Sequence, residues 1–322
     1  MRFCGNEICC ASYACLNAMK DESISLPLFE LSTGTPFGIG HRRNERFDRL
    51  LTTYQDPNQG LDQAIVLWGY KVNRYDCQTA NEAVHTIKKQ LANGHSVLLG
   101  PIDMGKISYY PMPFLLQRMD HYIVLEPWSE CSAFCIDSEG WNGYQIPYQK
   151  LHNSLSVSSV PEACGKITIR CVEKELDWNL NNILYFSYLR SSRNLLMAEQ
   201  NREGSQAITD CWEYISGQEM YLWKLPLAYD IQYLKQRKHL FLWYIDQLKQ
   251  APLFNMNILL ESKEIVSNQN LVLAEMYFLL NRGTIKKNLF YKLAKLERSL
   301  TEKWRLVCNI RPSAEEIDIS TL

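Results

Sequence analysis

The sequence predicts an α+β domain followed by a mainly α-helical domain, because the residue pattern changes along the chain. Up to about residue 172, short runs rich in β-branched and apolar residues lie between turn residues. From about residue 175, Leu, Tyr, Trp and Lys recur at helical spacing, and Gly and Pro become sparse after Pro226. A chain of 322 residues also suits two domains, because single cores stop growing near ~250–300 residues. We therefore predict domains at 1–174 and 175–322.

Each predicted element has its own residue pattern. Short apolar runs bounded by Gly, Pro, Asp or Ser indicate strands, and apolar residues at helical spacing indicate helices. The predicted strands are residues 96–100, 122–125, 133–137 and 166–172. The predicted helices are residues 80–91, 206–216, 229–250, 270–282 and 286–307.

Composition limits the class of protein. Hydrophobic residues make up 46% and charged residues 21%, which is typical of a globular protein. The formal net charge of -1 disfavours a general nucleic-acid binder or an electrostatic membrane anchor. No signal-peptide pattern and no run of about 18 apolar residues is visible, so we expect a cytoplasmic protein. Its eleven cysteines are then expected to be mostly reduced.

A cysteine at a predicted helix start is the first candidate for chemistry. The run ICCASYACLNAM, residues 8–19, favours a helix that begins near Cys10. A thiol at that position lies at the positive end of the helix dipole, which stabilises the thiolate. The unpaired N–H groups of the first turn can also bind a developing oxyanion. A buried structural cysteine is the alternative for any single cysteine, and other residues must decide between the two.

A histidine and an aspartate in a predicted β-hairpin favour the catalytic alternative. His121 lies at the start of one strand, and Asp137 lies at the end of the next. Antiparallel pairing brings these two ends side by side. An acid bonded to one ring nitrogen fixes the tautomer of a histidine and leaves the other nitrogen to take a thiol proton. We therefore predict Cys10 as nucleophile, His121 as base and Asp137 as the residue that orients the base.

The chain order of these three residues is that of papain-like enzymes. More narrowly, residues 4–150 resemble the N-terminal domain of the butirosin biosynthesis protein H family. The motifs that carry the resemblance are CASYACLN (10–17), PLFELSTGTPFG (27–38), NGHSVLLGPID (93–103), ISYYP (107–111), DHY (120–122) and the strand end ID (136–137).

The resemblance implies a papain-like fold that transfers an acyl group. The family member that gives the family its name moves an aminoacyl group from a carrier-protein thioester to an amine of an aminoglycoside. By position, the resemblance implies an acyl-Cys10 intermediate, with His121 and Asp137 in their predicted roles. It also implies a phosphopantetheine-linked donor on an acyl carrier protein, a small-molecule acceptor and a place in antibiotic or other natural-product biosynthesis. No cofactor of the protein itself is expected.

Three assignments stay open at this level. The family usually has a histidine just before the nucleophile, and here that position is Cys9, which makes Cys9 an alternative to Cys10. Asn6 is a candidate oxyanion donor, or else a turn residue. Asp103 ends a predicted strand and is either a turn residue or a carboxylate that lines the site.

Two other functions fit the same residues. A cysteine peptidase, amidase or thioesterase has the same triad and differs only in whether water reaches the acyl-enzyme. A papain-like domain kept for binding alone is the non-enzymatic alternative. The cysteine spacings lack the paired C-x-x-C pattern of zinc sites, so no metal is expected. The sequence assigns no substrate-binding residues.

Overall fold

The computed structural model describes residues 9–44, 47–55, 57–110, 117, 119–138, 143–155, 160, 165–251 and 253–307. The chain forms two compact units, Met1–Phe29 with Leu61–Trp178 and Glu30–Gly60 with Asn179–Leu322. The first is called the sheet unit and the second the helical unit. The helices are α1 (Cys10–Met19), α2 (Leu26–Ser32), α3 (Pro57–Leu67), α4 (Ala80–Ala92), α5 (Tyr148–Ser154), α6 (Leu180–Gln200), α7 (Ser205–Ser216), α8 (Met220–Leu248), α9 (Met256–Asn281) and α10 (Lys287–Trp304). The strands are β1 (Ile39–Asn44), β2 (Phe47–Thr53), β3 (Tyr70–Cys77), β4 (Val97–Asp103), β5 (Asp120–Ser129), β6 (Ser132–Asp137), β7 (Tyr144–Pro147) and β8 (Ile167–Lys174).

The predicted mixture of an α+β part and a helical part is confirmed. Each of the four predicted strands overlaps one strand of the structure (β4, β5, β6 and β8), and each of the five predicted helices overlaps one helix (α4, α7, α8, α9 and α10). Helix α8 begins at Met220, nine residues before the predicted start, because it includes Pro226. Pro226 is the seventh residue of α8 and lies past the first turn, so its missing N–H removes one helical hydrogen bond.

The sheet unit is built on an antiparallel sheet with the strand order β3-β8-β4-β5-β6-β7. Side chains alternate between its two faces, so residues that are directly paired across strands share a face. One face carries Leu98, Val124 and Ile136, which are paired in a row across β4, β5 and β6. The other face carries Leu99, Ile123 and Asp137, paired in the next row.

Different helices cover the two faces of this sheet. Helices α4 and α5 pack on the face of Leu99 and Ile123, where they build one hydrophobic core. Helix α1 packs on the opposite face, since its residues Tyr13 and Leu16 line a cavity together with Ile136. The sheet is therefore buried on both sides, and its central strands are apolar on both faces.

Residues 30–60 belong to the helical unit, which differs from the predicted division at 174/175. Buried polar side chains of the later helices bind the backbone of this segment. The guanidinium of Arg190 donates to the carbonyl of Ser32, and Asn194 Nδ2 donates to the carbonyl of Gly34 at 2.8 Å. The carboxylate of Asp230 accepts hydrogen bonds from the backbone N–H groups of Leu50 and Leu51 at 2.9 and 3.1 Å. These long-range bonds explain why the segment leaves the unit in which its sequence pattern places it.

Two further observations concern the described residues. Among the described helices, none is both long enough and apolar enough to span a membrane. The structure shows the described cysteines as thiols and not as disulfides, and Cys10 and Cys131 are the two of them that are not buried.

Candidate functional site

His121 and Asp137 come together through the register of the β5–β6 hairpin. Asp137 is paired with Ile123, so it lies diagonally across from His121 on the same face of the sheet. Nε2 of His121 lies 2.8 Å from Oδ1 of Asp137. Their side chains are only 2% and 0% exposed. The hairpin therefore forms the acid–imidazole pair that the sequence predicts.

Two tyrosines that the sequence analysis did not assign complete this pair. The hydroxyl of Tyr110 donates to Asp137 at 3.0 Å from each carboxylate oxygen and lies 3.1 Å from Nε2 of His121. The hydroxyl of Tyr109 donates to Oδ2 of Asp137. The ring of Tyr110 stands edge-on to the imidazole, at 5.7 Å between centroids. The carboxylate thus accepts hydrogen bonds from three side chains, which fixes its orientation and that of His121.

Burial keeps the neighbouring hydroxyl and thiol protonated. Desolvation raises the pKa of the Tyr109 hydroxyl well above its ordinary value, and the nearby Cys135 and Asp137 raise it further. Desolvation likewise raises the pKa of the Cys135 thiol to about 12, although a hydrogen bond with Tyr109 opposes that shift. The oxygen of Tyr109 and the sulfur of Cys135 are 3.4 Å apart. At neutral pH, Asp137 is therefore surrounded by donors and not by a second anion.

The hydrogen bonds also select one tautomer of His121. Because the carboxylate of Asp137 accepts a hydrogen bond from Nε2 of His121, Nε2 carries the proton and Nδ1 is the basic nitrogen. An imidazole held in this way can take a proton at Nδ1 while the carboxylate stabilises the resulting cation.

A bulge in β4 shapes the sheet next to His121. The register between β4 and β5 shifts between Leu99 and Ile102, and Ile102 is the residue paired with His121. Gly100, inside the bulge, has a φ of +154°, and a Cβ atom there would lie 2.4 Å from the ring of Tyr122. A larger residue would push against the neighbour of His121, so this position requires glycine.

Cys10 is the first residue of α1, as predicted. Cys9 is the N-cap, and no side-chain hydrogen bond caps the helix there. The first turn carries no acidic residue. Cys9 is buried at 7% exposure, whereas Cys10 is partly exposed. Of these two thiols, Cys10 is therefore the more accessible to a substrate.

The position of α1 relates Cys10 to the other two residues only in part. Lys20, the C-cap of α1, pairs with Glu126 on β5 at 3.1 Å, so the C-terminal end of α1 lies against β5. However, α1 covers the face opposite to the one that carries His121 and Asp137. The structure thus joins His121 to Asp137, and it places Cys10 at the start of the helix that covers the other face of the sheet.

The remaining predicted residues have simpler roles or lie elsewhere. Asp103 caps the 3-10 turn Met104–Lys106 by accepting from the N–H of Gly105 at 3.0 Å, as the turn alternative predicts. Asn6 lies outside the described residues. Within the part of the chain that is described, no three His, Cys, Asp or Glu side chains are grouped closely enough to hold a metal ion.

A signal for the two tyrosines was present in the sequence. The run ISYYP, residues 107–111, follows the predicted strand and contains both of them, but only the resemblance drew attention to it. Adjacent tyrosines have no periodicity that predicts their partners. Their contacts with Asp137 depend on the fold of the whole unit.

Comparisons with known proteins leave the family open. No model of a known protein family matches the chain. The chain is similar to a curated Bacillus subtilis (strain 168) protein named "Uncharacterized protein YobF", with 26% identity over 145 residues. The match covers 40% of this chain and 46% of the relative, so the chain spans less than half of the length of that relative. This similarity brings no activity with it.

Proposed function

We propose that the chain is a papain-like, cysteine-dependent acyltransferase that moves an acyl or aminoacyl group from a carrier-protein thioester to an amine or hydroxyl acceptor. The buried hydrogen bond between His121 and Asp137 is the observation that supports this proposal most strongly. It leaves Nδ1 as the basic nitrogen of His121, and the partly exposed Cys10 begins α1. A role in natural-product biosynthesis follows from the resemblance alone.

The first half-reaction acylates Cys10. Nδ1 of His121 takes the proton of the Cys10 thiol. The thiolate attacks the thioester carbonyl, and a tetrahedral intermediate forms whose oxygen carries the negative charge. The N–H groups at the start of α1 stabilise both the thiolate and this oxyanion. As the carbonyl re-forms, the C–S bond to the donor breaks, and the imidazolium of His121 gives its proton to the departing thiolate. One thioester is exchanged for another, so the step is close to thermoneutral.

The second half-reaction transfers the acyl group. An amine or hydroxyl attacks the carbonyl of acyl-Cys10, and Nδ1 of His121 takes the proton of the attacking group. The bond from carbon to Cys10 Sγ breaks, and the thiolate is regenerated. Asp137 keeps the imidazole in one tautomer through both steps. The mechanism requires the thiol of Cys10 to come within hydrogen-bond distance of Nδ1 of His121.

Intact-protein mass spectrometry tests the proposal. The protein is mixed with acyl pantetheine thioesters and with an acylated carrier protein, and Cys10→Ala is compared with Cys9→Ala and Cys131→Ala. The two control variants each lack one other thiol, one buried and one exposed. We expect one acyl adduct per chain that is lost in Cys10→Ala alone. An adduct that persists in Cys10→Ala would overturn the assignment of the nucleophile.

The fate of the adduct separates transfer from hydrolysis. Isolated acyl-enzyme is incubated in buffer with and without a small primary amine, and its mass is followed over time. A transferase is expected to lose the acyl group much faster with the amine and to yield the amide. Equal loss in both samples, with free acid as the product, would make the protein a hydrolase.

A further inference from the structure

The sheet unit contains a cavity of about 450 Å³ on the face of the sheet that α1 covers. Its lining is mostly apolar, with Tyr13, Leu16, Ile24, Phe134 and Ile136 among the side chains that form it. Its volume lies in the range of sites that take small ligands, ~300–1,000 Å³. The chemistry proposed above does not use this space.

Cys10 and the cavity lie on the same stripe of α1. Tyr13 and Asn17 follow Cys10 by three and seven residues, which places all three on one side of the helix. Tyr13 and Asn17 both line the cavity. The cavity thus begins one turn after Cys10, at Tyr13, and continues along the helix to Lys20, over about 11 Å. Leu16 lies about 9 Å from Cys10 along the helix axis.

The far end of the cavity is polar. Glu126 and Lys20 are cavity-lining residues that form an ion pair at 3.1 Å, and Ser96 donates to the other oxygen of Glu126 at 2.6 Å. Lys20 is 61% exposed, so this end faces solvent. A methyl end that reached this ion pair would desolvate it, which is unfavourable. The charged rim therefore limits the length of an apolar chain in the cavity.

We infer that this cavity binds the apolar part of the acyl group that Cys10 carries, and that it selects acyl chains of intermediate length. The inference rests on the proposed function for the covalent step, but binding in the cavity does not depend on that step. The preferred donor is a straight-chain acyl thioester whose chain fills the cavity and ends before Lys20 and Glu126. Acetyl groups are too short to contact Leu16, and long-chain groups extend past the rim.

The selection of acyl-chain length is tested by the rates at which thioesters with acyl chains of different length form the adduct. Acetyl, octanoyl and hexadecanoyl pantetheine are compared by intact mass. We expect the octanoyl thioester to react about tenfold faster than the other two, because only its chain is buried without meeting the rim. Leu16→Trp, which fills the cavity, is expected to remove this advantage. Leu176→Trp, at a site that is 69% exposed, is the matched control and is expected to keep it.

Two further measurements separate failure of this inference from failure of the proposed function. Phe134→Ala lengthens the cavity and is expected to move the preference toward hexadecanoyl, so the inference does not depend on the folding of Leu16→Trp. Cys10→Ala cannot be acylated, and calorimetry should show that it binds octanoyl pantetheine about tenfold more tightly than acetyl pantetheine.

The outcomes are distinct. Equal rates for all thioesters, with no preference in the calorimetry, would overturn the inference and leave the nucleophile in place. Preferential binding of octanoyl pantetheine to Cys10→Ala, without any adduct in the wild type, would support the cavity and overturn the proposed catalytic step.

Discussion

The sheet unit buries the pair His121–Asp137, the helical unit buries the pair Lys238–Glu297, and the two pairs are built differently. Their atoms are 2.8 and 2.9 Å apart, and no side chain of either pair is more than 2% exposed. Both oxygens of Asp137 accept hydrogen bonds. In contrast, Oε1 of Glu297 has no hydrogen-bond partner among the described residues. A buried acceptor without a partner costs free energy, so the second pair is held less completely than the first.

The difference shows what each pair is suited to do. Lys238 of α8 and Gln269 of α9 both donate to Oε2 of Glu297 in α10, at 2.9 and 2.7 Å. A fixed charge that joins three helices is a structural contact. His121 has a second ring nitrogen that can accept a proton while Nε2 stays bonded to Asp137, so its pair is suited to chemistry. Variants of the two pairs should therefore affect different properties.

The largest expected effect is on the rate of acylation in His121→Ala. Removal of a general base lowers catalysis by about 10²–10⁴-fold. Because His121 is buried, its truncation also leaves a cavity that lowers the melting temperature, so the rate is compared for the folded variant. The adduct rate is measured by intact mass at neutral pH, with His239→Ala as an exposed control. A normal rate in His121→Ala would show that the pair in the sheet unit does no chemistry.

The helical pair should show the opposite effect. Glu297→Gln leaves the ammonium of Lys238 buried without a counter-charge, which costs about 3–5 kcal/mol of the free energy of unfolding. Urea unfolding measures this loss, and the acylation rate of the folded variant should stay unchanged. The control is Glu213→Gln, which breaks an exposed pair with Lys287 and should cost less than about 1 kcal/mol. A slower reaction without loss of stability would mean that the helical pair takes part in the site.

A smaller effect is expected from Tyr110→Phe. The variant keeps the ring but removes a hydroxyl that contacts both His121 and Asp137, and a hydrogen bond to a charged group contributes about 1.5–3 kcal/mol. With one donor fewer, the carboxylate holds the imidazole less firmly in its orientation, so the acylation rate should fall by about tenfold, the lower end of that range. Tyr75→Phe, whose hydroxyl contacts Gln90, is the matched control. An unchanged acylation rate would limit Tyr110 to packing.

The central hairpin was predictable from the sequence because its determinants are local. The alternating residues of 133–137 and the turn before them specify β6, and antiparallel register then places Asp137 beside His121. The contacts of Tyr110 were not predictable, because the course of the backbone after β4 depends on the fold of the whole unit. The face of the sheet that α1 covers was not predictable either. It depends on tertiary packing and not on the pattern of α1 alone.

The assignment of residues 30–60 to the helical unit was also beyond a local argument. Arg190, Asn194 and Asp230 bind the backbone of this segment from positions about 160 to 180 residues later in sequence. Helical periodicity shows which face of a helix is buried, but it does not show which polar residue on that face binds a distant carbonyl. Long-range polar contacts of this kind become visible only in the folded structure.

The smallest expected effect concerns Cys135, which makes the free energy of unfolding of the sheet unit depend on pH in the alkaline range. Burial raises the pKa of this thiol from 9.0 to about 12, so it stays protonated in the folded state while the unfolded chain ionises. The folded pKa is raised, so the stabilisation is complete below about pH 9 and is lost as the pH rises toward about 12. Between these values, Cys135→Ala should reduce the slope of the free energy of unfolding against pH by up to about 1.4 kcal/mol per pH unit. Urea unfolding at a series of pH values measures the slope, and Cys131→Ala, at an exposed thiol, is the control. An equal slope in both variants would mean that Cys135 ionises within the folded state.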